Sequence, residues 1–581
     1  MKKNRIPIFA VFAAMVGPTA AQAQNQASVP LPSREEVQPD PVPNNRNEPK
    51  VQIDSSGAME VGACPLSDSD VRTSISQVVY TGRDGSALPP EIALLLSDVG
   101  GTGADQPIKV VCNIRDRANA ALRGERYVAA VQIPSQRIDD GVLRLEVITA
   151  RIVEMRVRGD AGPYEALLQQ RIEALKQLDP LNEGQAERIL LLAGDVPGLD
   201  VRLALRPTGI VPGEVIGEMT VDYRRTSVIG NVQNYNSRQL GRETAYLRGE
   251  IYGLTGAADI TYLGVSSTAD FQEQQIGQIG HSMGLDQNGT RIGANFTYAL
   301  SKPDLGTVKL NTRSLIANIE ISRPLLRSTR TNFNFAGGFE YIDQRTRVKS
   351  GNTSIPLNLD RLTTFYLGIN GGTRIYNRDS SVLADAKMNI EFRKGLDLFG
   401  ATKTGLITPG GYAPSRFEGD AKGTVIRGVL SNQFNLGKVI FVGGTLQGQW
   451  SDRPLLNYDE FSVGNLTIGR GYDPGANSGD RALGGSVEVG ARIIRMPKLG
   501  GEVFGFYDSV RIWNLDTNST EDNRRLSSYG GGMRFTLPGS MRLEVTYAKP
   551  QDKALSFDEK RPPARVLFSL TAQLVPFVSR R

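Results

Sequence analysis

From about residue 220 onward the chain alternates apolar and polar side chains, and helical periodicity disappears. In residues 290–300, Ile292, Ala294, Phe296, Tyr298 and Leu300 share one face while Arg291, Asn295 and Thr297 share the other. In residues 332–341, Phe333, Phe335, Phe339 and Tyr341 oppose Asn332, Asn334 and Glu340. In residues 382–392, Ala384, Ala386, Met388, Ile390 and Phe392 oppose Asp385, Lys387, Asn389 and Glu391. The pattern returns at 440–450, 487–493, 541–547 and 566–574, between turn-like clusters such as PLLRST, ATKTGLITPGGYAPS and DTNSTEDN. A strand sends successive side chains to opposite faces, and alternating segments of roughly 10 residues are the signature of a membrane-spanning β-barrel. About 360 residues at roughly 20–24 per strand and loop give near 16 strands. The polar face mixes Asp, Lys, Glu and Asn, which suits a wet lumen. A soluble sandwich or solenoid with a polar outer face is the alternative.

Composition agrees with this reading. The chain has 581 residues, too many for one compact domain, and its 63 glycines suit the turns and bulges of a strand-rich fold. Alternation averages hydropathy toward zero, consistent with a mean hydropathy of −0.25. Past the N-terminus no run of ~18 apolar residues exists, so no transmembrane helix is expected, which does not bear on a barrel. The net charge of +6 is spread over 67 basic and 61 acidic residues, unlike the concentrated basic footprint of a nucleic-acid binder. One histidine and two cysteines argue against a zinc site. His281, in IGQIGHSMGLD, has no motif around it and reads as a surface or lumen residue. GGTGAD at 100–105 lacks the P-loop lysine and reads as a loop. No nucleophile–base pair can be assembled, so no catalytic residue, metal or cofactor is expected.

The first residues form a secretory signal. Lys2, Lys3 and Arg5 precede an apolar run over 6–16, and Ala21-Gln22-Ala23 supplies an A-x-A cleavage site. Residues 24–62 are rich in Pro, Asn, Gln and Ser and read as an extended, disordered linker. Two similar units then follow, at 63–150 and 151–217, each in the order β-α-α-β-β. The first has a strand at 74–81, helices from Pro89 and across 108–122, and strands at 127–133 and 142–149. The second has a strand at 151–158 and a helix at 164–178 with Leu167, Leu168, Ile172 and Leu175 on one face. Asn182 caps its next helix, Gly194 ends it, and strands at 200–206 and 214–223 close the unit. Cys64 and Cys112 both lie in the first module. In an exported protein they form a disulfide or remain two buried thiols.

Several segments carry a resemblance. YVAAVQIPSQRIDDGVLRLEVITARI (127–152), LLLAGDVPGLDVRLALRPTGIVPGEV (190–215), NYNSRQLGRETAYLRGEIYG and IGRGYDPGANSGDRALGGSVEV (468–489) occur in this order. Together they resemble the outer-membrane transporters of two-partner secretion, the haemolysin secretion/activation family. The resemblance implies two periplasmic POTRA modules, with Pro134, Gln136 and Gly141 at the first module's motif, before a 16-stranded barrel over 218–581. It implies a sixth extracellular loop that folds into the lumen, with Arg470, Gly471 and Tyr472 at its tip. Asp508, in GFYDSV, is then the wall partner of Arg470. The family places Gly two residues after that Asp, and Val510 stands there instead. Many members also carry a plug helix before the linker, and the Pro-rich stretch 24–62 shows no clear one. The family's partners would be a secreted, haemolysin- or adhesin-like exoprotein, outer-membrane lipids and the barrel-assembly machinery. An assembly insertase and a passive porin are the alternative functions.

Overall fold

The computed structural model describes residues 31–39, 53–54 and 59–574, apart from 60–62, 65, 67–68, 70, 102, 139–140, 306–307, 351–352 and 518. The expected signal sequence at 1–23 and the chain end beyond 574 lie outside the described residues.

The first module builds a sheet in the spatial order Gln77–Thr81, Val142–Thr149, Ala129–Gln132. The central strand runs parallel to the first and antiparallel to the last. Helices Pro90–Leu96 and Val110–Gly124 close a core that includes Ile92, Leu96, Ile114, Leu122, Leu143 and Leu145. Pro90 takes the first helical turn, where its missing N–H costs nothing.

The second module repeats the plan with strands Arg151–Gly159, Glu214–Tyr223 and Leu199–Pro207 and helices Glu165–Lys176 and Glu183–Gly194. The Asn182 side chain accepts from the N–H of Gly184 at 2.8 Å and of Gln185 at 3.3 Å, capping the second helix. Leu168, Ile172 and Leu175 are buried on the face turned to the sheet, while Leu167 is partly buried. A further short strand, Ile53–Asp54, adds to this sheet in parallel against Leu199–Pro207.

The rest is a closed antiparallel barrel of sixteen long strands. They are β1 (Thr226–Gln233), β2 (Thr244–Tyr252), β3 (Ile260–Thr268), β4 (Gln274–Gly284), β5 (Arg291–Ser301), β6 (Val308–Arg327), β7 (Thr331–Ser350), β8 (Thr353–Tyr376), β9 (Val382–Leu396), β10 (Thr424–Leu436), β11 (Ile440–Ser451), β12 (Arg481–Met496), β13 (Leu499–Trp513), β14 (Arg524–Leu537), β15 (Met541–Pro550) and β16 (Arg565–Leu574). A two-residue strand, Asp304–Leu305, decorates the β5–β6 hairpin. Closure comes from β1 against β16, where Val228 pairs with Leu574 and Gln233 with Ser569. Asn231 strengthens the seam by donating to Ser569 Oγ and Thr571 Oγ1, each at 3.0 Å.

The polarity is that of a lipid-embedded barrel. Phe339 is 49% exposed and its neighbour Glu340 only 4%, so apolar side chains face outward and polar ones the lumen. The second module packs against one mouth. Arg327 forms an ion pair with Asp195, the Thr329 N–H donates to Glu187, and the Tyr164 hydroxyl donates to the Asp259 carbonyl at 3.3 Å. All three barrel residues lie at or beside turns joining an even strand to the next odd one. Those turns therefore lie at the mouth that the second module covers, and the loop between β11 and β12 starts from the opposite mouth.

The stretch 24–62, read from its composition as a disordered linker that shows no clear plug helix, has an ordered part. Residues 31–39 lie inside the barrel and contain the one-turn helix Arg34–Val37. Ser33 and Glu36 form a reciprocal capping box, and Val37 packs with Ile276, Ile316, Ile342 and Leu362 of the lumen wall. Local composition disfavours order here, but contacts supplied by distant strands outweigh it.

Candidate functional site in the barrel lumen

The loop joining β11 to β12, residues 452–480, folds back into the barrel. Its two arms pair as a small hairpin, Phe461–Val463 against Asn477–Gly479. The tip between them carries Arg470, Gly471 and Tyr472, and each meets the wall differently.

Arg470 lies against the lumen side of β12 and β13. Its Nη2 donates to Asp508 Oδ1 at 2.9 Å, its Nε to Asp508 Oδ2 at 3.2 Å, and its backbone N–H to the same Oδ2 at 2.9 Å. Ser486 Oγ and Glu488 Oε2 accept from the guanidinium at 2.6 and 3.1 Å. The guanidinium carbon stands 3.6 Å from the centre of the Phe506 ring. The planar fork thus uses its charge, its donors and its face together, an arrangement lysine cannot reproduce. Glu488 also pairs with Arg534, which reaches Glu544 at 3.1 Å and covers Phe504 at 3.9 Å. The wall is a ladder of alternating charges rather than a single pair.

Gly471 fits because it has no side chain. A Cβ there would stand 2.8 Å from both Pro550 N and Ser528 Cβ, and its N–H donates to Ser528 Oγ at 3.2 Å. Tyr472 is fully buried. Its hydroxyl donates to the Ser527 carbonyl at 2.9 Å and accepts from the Asp552 N–H at 3.0 Å. Asp473 pairs with Arg242 at 3.1 Å and Arg565 at 2.8 Å, so the tip bridges both sides of the barrel seam.

Val510 occupies the position where the family pattern has Gly. It is buried with Ile468, Tyr472 and Ile512, and its register partner on β12 is Gly484. A Cβ on Gly484 would lie 2.9 Å from Val510 Cβ. The missing side chain has moved to the neighbouring strand, which leaves room for valine beneath the loop.

Two further devices hold the loop. At its outer stem, Arg416 pairs with Glu460 at 2.9 Å, Asp480 at 2.5 Å and Asp516. Burial, with Asp480 and Asp516 nearby, pushes the Glu460 carboxyl up to about 7 despite Arg416. At the inner side, the lumen helix meets the same loop. The Tyr458 hydroxyl donates to Gln38 Oε1 at 3.0 Å, and the Arg34 guanidinium stands 5.8 Å from the Tyr458 ring centre. The Ser237 N–H donates to Glu36 Oε1 at 3.2 Å, and Gln274 Nε2 donates to the Glu36 carbonyl at 3.1 Å.

The remaining sequence candidates lie elsewhere. Gln136 reaches across the first module's sheet and bonds both backbone groups of Arg144, at 2.8 and 2.6 Å, replacing a missing strand partner. Gly141, at φ +71°, accepts from the Ser76 N–H at 2.9 Å, and a Cβ there would meet Ser76 Oγ at 2.8 Å. Pro134 precedes this turn, and its carbonyl accepts from Gln136 Nε2 at 3.4 Å. Cys64 and Cys112 are bonded, with Cα atoms 5.9 Å apart. His281 sits on β4 beside Thr261, far in sequence from the loop, with Thr261 Oγ1 2.8 Å from its Nδ1. Sequence reasoning missed Ser486, Glu488, Phe506, Ser528 and Arg534, whose only signal is membership of a lumen-facing row. It also missed the S-x-x-E capping box at Ser33–Glu36, which was legible.

A family model described as haemolysin secretion/activation protein ShlB/FhaC/HecB matches residues 219–535. The heme/hemopexin transporter protein HuxB of Haemophilus influenzae strain 86-028NP is 20% identical over 511 residues, covering 84% of this chain and 86% of that protein. CdiB from Escherichia coli superposes with a TM-score of 0.69 at 15% identity, over 89% of this chain and 94% of that one. CdiB from Acinetobacter baumannii gives 0.64 at 14% identity, over 91% and 96%. At these identities the solved structures speak to the fold, and they share it over nearly the whole length.

Proposed function

We propose an exporter dedicated to one partner protein, on the premise that this chain belongs to the haemolysin secretion/activation family, ShlB/FhaC/HecB. It is a two-partner secretion transporter of the Gram-negative outer membrane. In the finer reading, the two modules take up an unfolded haemolysin- or adhesin-like exoprotein in the periplasm. The substrate then threads the barrel in extended form. The apolar outer face meets the membrane lipids, and insertion falls to the barrel-assembly machinery.

One observation carries this reading: the lumen is filled by a loop and a helix held through side-chain bonds rather than by continuous sheet. Such pieces can leave without breaking the barrel ladder. Charge-assisted hydrogen bonds are strong but few, so they suit a closure that must open. Withdrawal of the Arg470 tip from Asp508, together with the Arg34–Val37 helix, would clear a path from the modules to the outside.

The test is deletion of the gene in its native host, followed by comparison of surface and culture-medium proteins with wild type. Loss of one or two large exoproteins, with other outer-membrane barrels unchanged, is the expected result. A broad fall in outer-membrane proteins would favour an assembly insertase. An unchanged profile would favour a porin and overturn the exporter.

A further inference from the structure

Strands β6, β7 and β8 are 20, 20 and 24 residues long, and residues 353–362 of β8 stand beyond the end of its ladder with β9. They rise at the mouth opposite the second module, and their outward face changes character along its length. On β7 the outward row runs through Phe335, Phe339 and Tyr341, then turns to Asp343, Arg345, Arg347 and Lys349. Tyr341 ends the apolar stretch, and Phe399 from the β9–β10 loop packs edge-on against it with ring centres 6.1 Å apart. At ~3.4 Å per residue and a tilt of about 40°, Asp343 and Arg345 lie about 5 and 10 Å beyond Tyr341 along the membrane normal. Their side chains therefore meet the headgroup layer, which adds about 5–8 Å to each side of the hydrocarbon.

The cations at this level are set against one another. Arg313 of β6 stands in register with Arg345 on one side and Leu300 on the other. Lys309 stands in register with Lys349. Arg361 of β8 faces Asp343, and that carboxylate is shared. Its Oδ1 accepts from the Arg345 Nε at 2.6 Å, and its Oδ2 from the Arg361 Nε at 2.8 Å. Asp304, in register with Lys309, is a second acid, and Arg347 donates to the Tyr412 hydroxyl at 2.6 Å.

Like charges directly opposite one another on a sheet repel. Beside hydrocarbon the effective dielectric falls, so the repulsion is stronger than in open water. One carboxylate between two guanidiniums, with a third arginine in register, leaves an excess of positive charge. An external anion removes it, and arginine forks match phosphate oxygens two at a time. Just below, Phe339 and Phe365 lie with ring centres 5.3 Å apart, and Ile319 is exposed beside Phe339. The face is thus basic above and apolar below, the two halves of an anionic lipid.

We propose that the outward face of β6–β8 is a binding site for a glycolipid whose headgroup carries more than one phosphate. Arg313, Arg345 and Arg361 take a phosphate, while Lys309 and Lys349 take a second anionic group further from the hydrocarbon. The acyl chains lie on Phe339, Phe365 and Ile319. The lipid supplies the counter-charge that the sheet lacks, and so holds the longest strands of the barrel at a fixed height. Placing this face in the outer leaflet rests on the exporter reading above, which puts the modules in the periplasm.

The test titrates the full-length protein, purified in a neutral detergent, with lipid A carrying two phosphates. The readouts are the thermal midpoint and the lipid retained in native mass spectra. Wild type is expected to bind saturably and to rise in midpoint with lipid concentration, as ligation of the folded state requires. Arg313→Gln with Arg345→Gln is expected to bind about tenfold more weakly or worse, the loss due to two basic contacts with an anionic headgroup. Equal affinity in variant and wild type overturns the proposal. So does equal binding of lipid A stripped of its phosphates, which would mean apolar contact alone. Inorganic pyrophosphate is expected not to compete; full competition would mean an anion site with no lipid in it, and overturns the assignment. Should the double variant fail to insert, Arg313→Gln alone decides, with an expected loss of about fivefold. Lys349→Cys adds a free thiol to a chain whose Cys64 and Cys112 are bonded, and a membrane-impermeant maleimide is expected to label it on whole cells. Labelling only after lysis would move the face to the other leaflet and overturn this lipid as its occupant. The exporter reading fails separately, by an unchanged secretion profile in the deletion strain, and that result leaves lipid binding by the purified protein untouched.

Discussion

Asp508 is 1% exposed and receives three donors from Arg470, so the carboxylate has no solvent to fall back on. Removing one member of a buried pair typically costs ~3–5 kcal/mol, because the other charge stays behind. Here Ser528 and the partly exposed Arg470 side chain soften the loss, which places it toward the lower end. Arg470→Ala should therefore insert into the membrane at normal levels yet secrete less partner per inserted molecule. Arg470→Lys should fail to restore secretion, since a single ammonium cannot fork across Asp508 while covering Phe506. Wild-type secretion by both variants would remove the lock from the mechanism. Val510 and Gly484 offer a second test. Val510→Gly leaves a void under Tyr472, and Gly484→Ala drives a methyl into Val510, so each alone should lower the thermal stability of the purified barrel. Combined, they should cost less than the sum of the two, because the methyl fills the space that valine vacated. Strict additivity would mean that the two positions do not share that space.

At the scale of elements, the inward loop is held at tip and stem, and at the stem burial pushes the Glu460 carboxyl up to about 7. Glu460 faces Arg416 from the β9–β10 loop, Asp480 at the start of β12 and Asp516 from the β13–β14 loop. Its folded value of about 7 lies above its ordinary 4.5, so the folded stem binds more protons than the unfolded one between those values. Stability contributed by this group is present in full below pH 4.5 and is lost as pH rises toward 7. Protection of the loop from protease should therefore fall over that range in wild type, and Glu460→Gln should flatten the difference; equal slopes in the two proteins would reject it. The lumen helix is weaker still. Ser33→Ala removes half of its capping box, at a typical cost of ~1 kcal/mol, and should raise open-state conductance in bilayers. These two elements also mark what sequence could reveal. The strands were legible because every second residue answers to a different solvent, as Phe339 and Glu340 do. The helix Arg34–Val37 is too short to show a period, and it is ordered by Ser237, Gln274 and Tyr458, hundreds of positions away. Arg470 and Asp508 were legible only through the family's loop motif. Glu488, one lumen-facing acid among many, carried no local signal.

At the scale of the whole molecule, the route from module to lumen has an electrostatic sign. Between the second module and the barrel mouth lies a cavity of about 1530 Å³. Its lining includes Arg171, Arg291, Arg327, Arg330, Arg374 and Lys387 against Asp195, Asp286 and Asp385. Arg327 is satisfied by Asp195 and Arg374 by Asp385, which removes two charges of each sign. The remainder is basic, and it is set in a concave wall that concentrates its field. An extended segment with acidic or neutral polar side chains would pass this mouth more readily than a lysine-rich one. The same field acts on small ions once the lumen opens. In planar bilayers with a salt gradient, the open channel should prefer anions, and the preference should weaken as salt rises and the Debye length shrinks from about 30 Å at 0.01 M to about 3 Å at 1 M. Lys387→Glu combined with Arg330→Glu should move the reversal potential toward cations without altering the loop lock, since neither residue touches it. A reversal potential unmoved by that double charge reversal would mean that ions, and by extension the substrate, do not pass by this mouth.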